Sequence, residues 1–165
     1  MAPRPLPPLD GWPVQLSDEH EQLFAWWCPP NVVVMQYLAP HFSLGTARAA
    51  TAILDGVLKA RRQELRRLGG LVAIHDLREM RSAELAAERH LDQAWKQWDG
   101  KDIREVWLVN DTMNRFARLL VHAVNLIARV TMGRPLRLVH TLDEPFRAHG
   151  VHVPGQTGTP LEVLR

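Results

Sequence analysis

Gly69-Gly70-Leu71-Val72-Ala73-Ile74-His75-Asp76-Leu77-Arg78 decides the fold of this chain. A glycine pair closes a long basic stretch of helical periodicity. A short apolar run follows, and an acidic residue stands where that run ends. The pattern returns at Val106-Trp107-Leu108-Val109-Asn110-Asp111 and at Leu136-Arg137-Leu138-Val139-His140. Continuous apolar runs of this length suit strands buried on both faces. Helical stretches between such strands imply crossover connections and a parallel sheet.

The regions around these runs complete the reading. Glu21–Trp27 and Val32–Leu38 read as two strands joined through Cys28-Pro29-Pro30-Asn31, an antiparallel hairpin. Ser43–Leu68 reads as a helix whose apolar stripe is Ala47, Ala50, Leu54, Val57, Leu58, Leu65 and Leu68. Ser82 is placed to cap a second helix, with Glu84 in its first turn. Leu85, Leu91, Trp95 and Trp98 form that helix's inner face. Asp111 is placed to cap a third helix reaching about Met132, and Asp143–His149 a short fourth. The fold class is therefore α/β, with a mixed, mostly parallel sheet, an N-terminal hairpin and four helices.

Composition bounds the rest. The chain has 165 residues, within the range of one domain. Residues 1–13 hold five prolines, so residues 1–18 are expected to form a flexible leader, 19–150 the domain and 151–165 a flexible tail. No run approaches the ~18 apolar residues of a membrane-spanning helix, and the N-terminus lacks the apolar core of a signal peptide. The single cysteine, Cys28, fits a reducing cytoplasm. A net charge of +2 gives no basic surface dense enough to indicate nucleic acid.

This element order resembles the STAS fold, and more closely the stand-alone bacterial STAS-like (SpoIIAA-like) proteins. The residues that carry the likeness are Val32-Val33-Val34-Met35, then Leu71–Arg78, then Leu138-Val139-His140-Thr141-Leu142-Asp143-Glu144-Pro145-Phe146. The resemblance implies a non-catalytic, regulatory or scaffolding module that works by binding proteins. It also points to Ser82 as a phosphosite, because anti-sigma antagonists of the family carry a phosphorylated serine where the helix after the central strand begins. The family's Asp-Ser-Ser-Gly pattern is otherwise missing from Glu79-Met80-Arg81-Ser82-Ala83.

Other residues mark further candidate sites. Lys59, Arg61, Arg62, Arg66 and Arg67 make a basic helix end; Arg62 and Arg66 are the residues expected to meet an acidic protein partner, and an anionic membrane surface ranks behind it. The helix from Asp111 carries an apolar arc wider than one sheet contact needs, so self-association is expected through Phe116 and Leu120. His75-Asp76 spells a metal-phosphohydrolase dipeptide, but on a strand and without companion ligands. No metal or cofactor is therefore expected. Cys28 has no base near it in sequence. Adjacent Trp26 and Trp27 point to opposite faces of a strand, so core packing is the first expectation, with one of them exposed or covering the sheet edge as the alternative. The alternative to a protein-binding module is a small-molecule or lipid carrier with an apolar pocket between sheet and helices.

Overall fold

The computed structural model describes residues 14–15, 18, 20–28, 30–98, 101–110 and 136–151. Eight strands are present among them: β1 (Val14–Gln15), β2 (Leu23–Cys28), β3 (Val32–Tyr37), β4 (His41–Phe42), β5 (Leu71–Asp76), β6 (Ser82–Ala83), β7 (Ile103–Val109) and β8 (Arg137–Val139). The described helices are α1 (Leu44–Arg67), α2 (Leu85–Gln97) and α3 (Asp143–Ala148). The main sheet runs in the order β1-β2-β3-β5-β7-β8. β1, β2 and β3 are antiparallel neighbours, and β3, β5, β7 and β8 run parallel. The mixed, mostly parallel sheet and its leading hairpin are thus as the sequence predicts. The expected helix from Asp111 to Met132, with Phe116 and Leu120, lies outside the described residues. β1 falls within the stretch expected to be leader, and Val151, at the start of the expected tail, is buried in the core.

β5 is buried along its whole length, and its side chains alternate between two apolar cores. Leu71 and Ala73 join Val33, Met35, Val106 and Leu108 beneath α1 and α2. Val72 and Ile74 join Val34, Trp107, Val109 and the α3 residue Phe146 on the opposite face. The steps from β3 to β5 and from β5 to β7 move one place each in the same direction. Right-handed crossovers then put α1 and α2 on one face. Trp98 Nε1 ties them together by donating to Asp55 Oδ1 at 2.6 Å.

Both ends of α1 are set by its local sequence. Ser43 is the N-cap and its hydroxyl accepts from Thr46 N at 3.0 Å. At the other end Gly69 has a φ of +85°, and Gly70 N donates to Leu65 O at 2.8 Å while Gly69 N donates to Arg66 O at 3.3 Å. That pair of bonds is a Schellman closure, which needs a left-handed residue just past the helix. A bulge at Arg104, where β7 slips against β5, then presses on Gly70, leaving no room for a Cβ.

Several local expectations are corrected. Ser82 does not cap α2. It lies in β6, paired with β4, and Glu84 is the N-cap. The Glu84 side chain caps a different helix: its Oε2 accepts from Leu44 N, at the start of α1, at 2.9 Å. Leu85 and Leu68, predicted on inner faces, are 61% and 38% exposed. Leu85 turns out because α2 starts later than the sequence indicates, so Ala87 takes the buried place. Trp26 and Trp27 face opposite ways and both are buried, as core packing requires. The Arg61 guanidinium stacks 4.8 Å from the Trp27 ring centre and closes it over.

Candidate binding cavity at the carboxyl ends of the strands

Three side chains from the carboxyl ends of parallel strands form the floor of a cavity: Tyr37 on β3, His75 on β5 and Leu108 on β7. Ala50, Thr51 and Leu54 of α1 form one wall, and Leu91, Trp95 and Trp98 of α2 the other. Phe42 of β4, with Leu77 and Met80 from the turn after β5, closes the end. The short β4–β6 pair fixes that end, because it joins the segment before α1 to the segment before α2. The cavity volume is about 60 Å³. Ligands of α/β sheets bind at this end of the strands.

The lining is almost wholly carbon, with one built polar pair. Tyr37 Oη and His75 Nδ1 lie 2.8 Å apart, and their rings stack with centres 5.8 Å apart. Phe42 packs edge-on against Tyr37 at 5.7 Å. Burial lowers the His75 pKa to about 4, since the cavity disfavours the imidazolium. The same burial pushes the Tyr37 phenol above its ordinary value. Both groups are therefore neutral at pH 7. His75 Nε2 is buried and has no hydrogen-bond partner among the described residues. Thr51 is already satisfied, donating to the α1 carbonyls of Ala47 or Arg48 at 3.0 Å and lying 2.9 Å from His90 Nε2.

Asp76 follows His75 but faces the other way. Its Oδ1 accepts from Arg78 Nε at 2.8 Å and its Oδ2 from Arg78 Nη2 at 2.9 Å, with Gln36 Nε2 adding a bond at 3.2 Å. The dipeptide that spells a metal motif in sequence is thus divided between a cavity wall and an ion pair. Among the described residues no three His, Cys, Asp or Glu side chains gather as metal ligands.

The remaining candidates lie apart from the cavity. Ser82 is partly exposed and its hydroxyl sits 2.7 Å from His41 Nδ1. Arg66 Nε bonds Asp102 Oδ1 at 2.7 Å and Arg62 Nε lies 3.5 Å from Oδ2, so both arginines neutralise a buried carboxylate. Cys28 is buried and its thiol is pushed up to about 12 by burial, so at neutral pH it stays a thiol. Tyr37 is the site residue that sequence reading passed over. Its signal was a polar tip on the inward side of an apolar strand, matched on the neighbouring strand by His75, whose register partner Met35 lies two residues before Tyr37.

No protein-family model matches the chain, and no curated protein does. A solved structure to which the chain is similar is that of an uncharacterized protein from the DUF3478 family with a SpoIIAA-like fold, from Shewanella loihica PV-4. The two are 14% identical over 78% of this chain and 91% of that one, with a TM-score of 0.49. No described helix is long and apolar enough to cross a membrane.

Proposed function

We propose that this protein is a non-catalytic binding module for a small, mainly apolar molecule held between the sheet and helices α1 and α2. The supporting observation is the cavity of about 60 Å³, walled by Leu54, Leu91, Trp95 and Trp98 and carrying a single Tyr37–His75 polar pair. Few convergent polar groups in an apolar pocket is the usual make-up of a ligand site. Trp95 and Trp98, in edge-on contact at 5.5 Å, give the site a fluorescence report. Toluene is expected to quench or shift that emission and to raise the melting temperature of the wild-type protein. Ala50→Met, which fills the cavity from α1, is expected to fold and to lose both responses. A wild-type protein indifferent to toluene and to smaller hydrocarbons would remove this reading.

A protein partner is the second reading. A shallow groove runs between Pro30 and the α1 residues Lys59, Arg61, Arg62 and Arg67, with Glu64 among them and exposed Leu68 at its end. That mixture of cations around an apolar residue suits an acidic protein segment. Binding that weakens steeply with salt and is lost in Arg67→Glu supports it; salt-independent binding opposes it. Regulation through such a partner, and self-association through Phe116 and Leu120, belong to the same proposal. Sedimentation of wild type as a monomer at high concentration would exclude the latter.

A further inference from the structure

We infer that the ligand of this cavity is a neutral molecule bearing one hydrogen-bond-accepting oxygen, a carbonyl or an ether, which takes the proton of His75 Nε2. This rests on the reading of the cavity as a ligand site and assigns the chemistry of what enters it.

His75 is neutral, so one ring nitrogen carries hydrogen and the other accepts. Two arrangements fit the 2.8 Å contact between Tyr37 Oη and His75 Nδ1. If Nδ1–H donates to the phenol, the phenol proton and the Nε2 lone pair are both left without partners. If the phenol donates to Nδ1, the phenol is satisfied and only Nε2–H is left over. The second leaves fewer buried groups unmet, and each such group costs free energy. His75 therefore turns a donor toward the cavity side of the sheet. His75 is only 8% exposed, and Nε2 has no partner among the described residues.

Three kinds of occupant can be compared. A buried water makes about three hydrogen bonds, and His75 Nε2 is one unmet donor, lying just behind a carbon lining. An anion would need a compensating charge, and no lysine or arginine lines the cavity. A neutral oxygen on a hydrocarbon frame meets the donor and leaves every other wall atom in apolar contact. Size bounds the ligand as well: about 60 Å³ is room for roughly two waters at ~30 Å³ each, so the molecule is small and the walls part as it enters. Nε2 is closed over by its neighbours in this structure, so the oxygen reaches it by parting the wall locally.

The test pairs cyclopentanone with methylenecyclopentane, which has the same shape and a carbon in place of the oxygen. Wild type is expected to bind the ketone about tenfold more tightly. The carbonyl stretching band of the bound ketone is expected to move to lower frequency than in hydrocarbon solvent. His75→Phe is expected to remove both the preference and the band shift. Should His75→Phe fail to fold, Tyr37→Phe serves instead: it frees Nδ1 to take the proton, so the preference shrinks while binding persists. Equal binding of the two probes with an unshifted band would overturn the donor assignment and leave the cavity reading standing. Tighter binding of pyrrole, which only donates, would overturn it as well. Binding of none of the probes would remove both readings together.

Discussion

Asp76→Asn separates a structural role for the end of β5 from a chemical one. The carboxylate is 3% exposed and holds Arg78 by two parallel bonds, 2.8 Å to Nε and 2.9 Å to Nη2. Gln36 Nε2 and the Arg78 backbone N donate to the same carboxylate at 3.2 and 3.3 Å. An asparagine keeps one acceptor oxygen and turns an NH2 group toward donors. It also removes the charge that balances a guanidinium only 19% exposed. Removing one partner of a fully buried pair costs about 3–5 kcal/mol. The arginine's remaining exposure places this case at the lower bound, about 3 kcal/mol. A chain of this size loses roughly 2–4 °C of melting temperature per kcal/mol, so a fall of about 6–12 °C is expected. Adding Arg78→Met is expected to restore part of it, since a pair removed whole leaves no buried charge behind. Differential scanning calorimetry of the four proteins in this cycle gives the coupling. Toluene binding should survive in Asp76→Asn, because Asp76 points away from the cavity. A single variant melting within about 2 °C of wild type, or strictly additive effects, would refute the ion-pair account.

Gly70→Ala is expected to destabilise by about 1–3 kcal/mol in urea titrations, because φ is +109° and the new Cβ would lie 2.8 Å from Arg104 N. Ser82→Ala is expected to stay within about 0.5 kcal/mol of wild type, since Ser82 pairs with exposed His41 and caps no helix; a loss near 1 kcal/mol would restore it as a cap. Stability should also depend on His75 between pH 6.5 and 4. Folding holds the imidazole neutral down to about pH 4, whereas the unfolded chain takes up a proton near 6.5, so stability is complete above 6.5 and falls as pH drops toward 4. The loss is about 3 kcal/mol at roughly 1.4 kcal/mol per pH unit, and His75→Gln should abolish that share when compared with wild type at each pH.

The fold was legible because its signals are local. Ser43 and the glycine pair bound α1 within a residue of where the sequence puts its ends, since cap and Schellman closure are short-range chemistry. The apolar runs of β3, β5 and β7 stand out because both faces are covered. What failed was long-range. Ser82 looks like a cap, yet β4 lies close enough to draw it into a strand, with Arg81 N and Ser82 N both donating to Pro40 O. Tertiary pairing across some forty residues outweighed a one-residue preference. Leu85 shows the consequence: a helix start displaced by about two residues turns the wrong side chain to solvent.

The cavity was hidden for a different reason. Leu54, Leu91, Trp95 and Trp98 in its walls read as core-facing in the sequence, and Leu54, Trp95 and Trp98 are buried. A cavity exists only where the volumes of residues distant in sequence fail to fill the space between elements, and no pattern in one segment encodes that shortfall. What the sequence did hold was polarity out of place. Tyr37 and His75 stand on the inward parity of strands whose other inward residues are Val33, Met35, Leu71 and Ala73. A sheet that needed only packing would keep apolar residues there, because a buried donor without a partner costs about 1–3 kcal/mol. Tyr37 relieves His75 at Nδ1 and leaves Nε2 unmet. A molecule that brings that nitrogen an oxygen would recover the free energy lost there, and on the proposed reading this makes the Tyr37–His75 pair the first part of the fold to test.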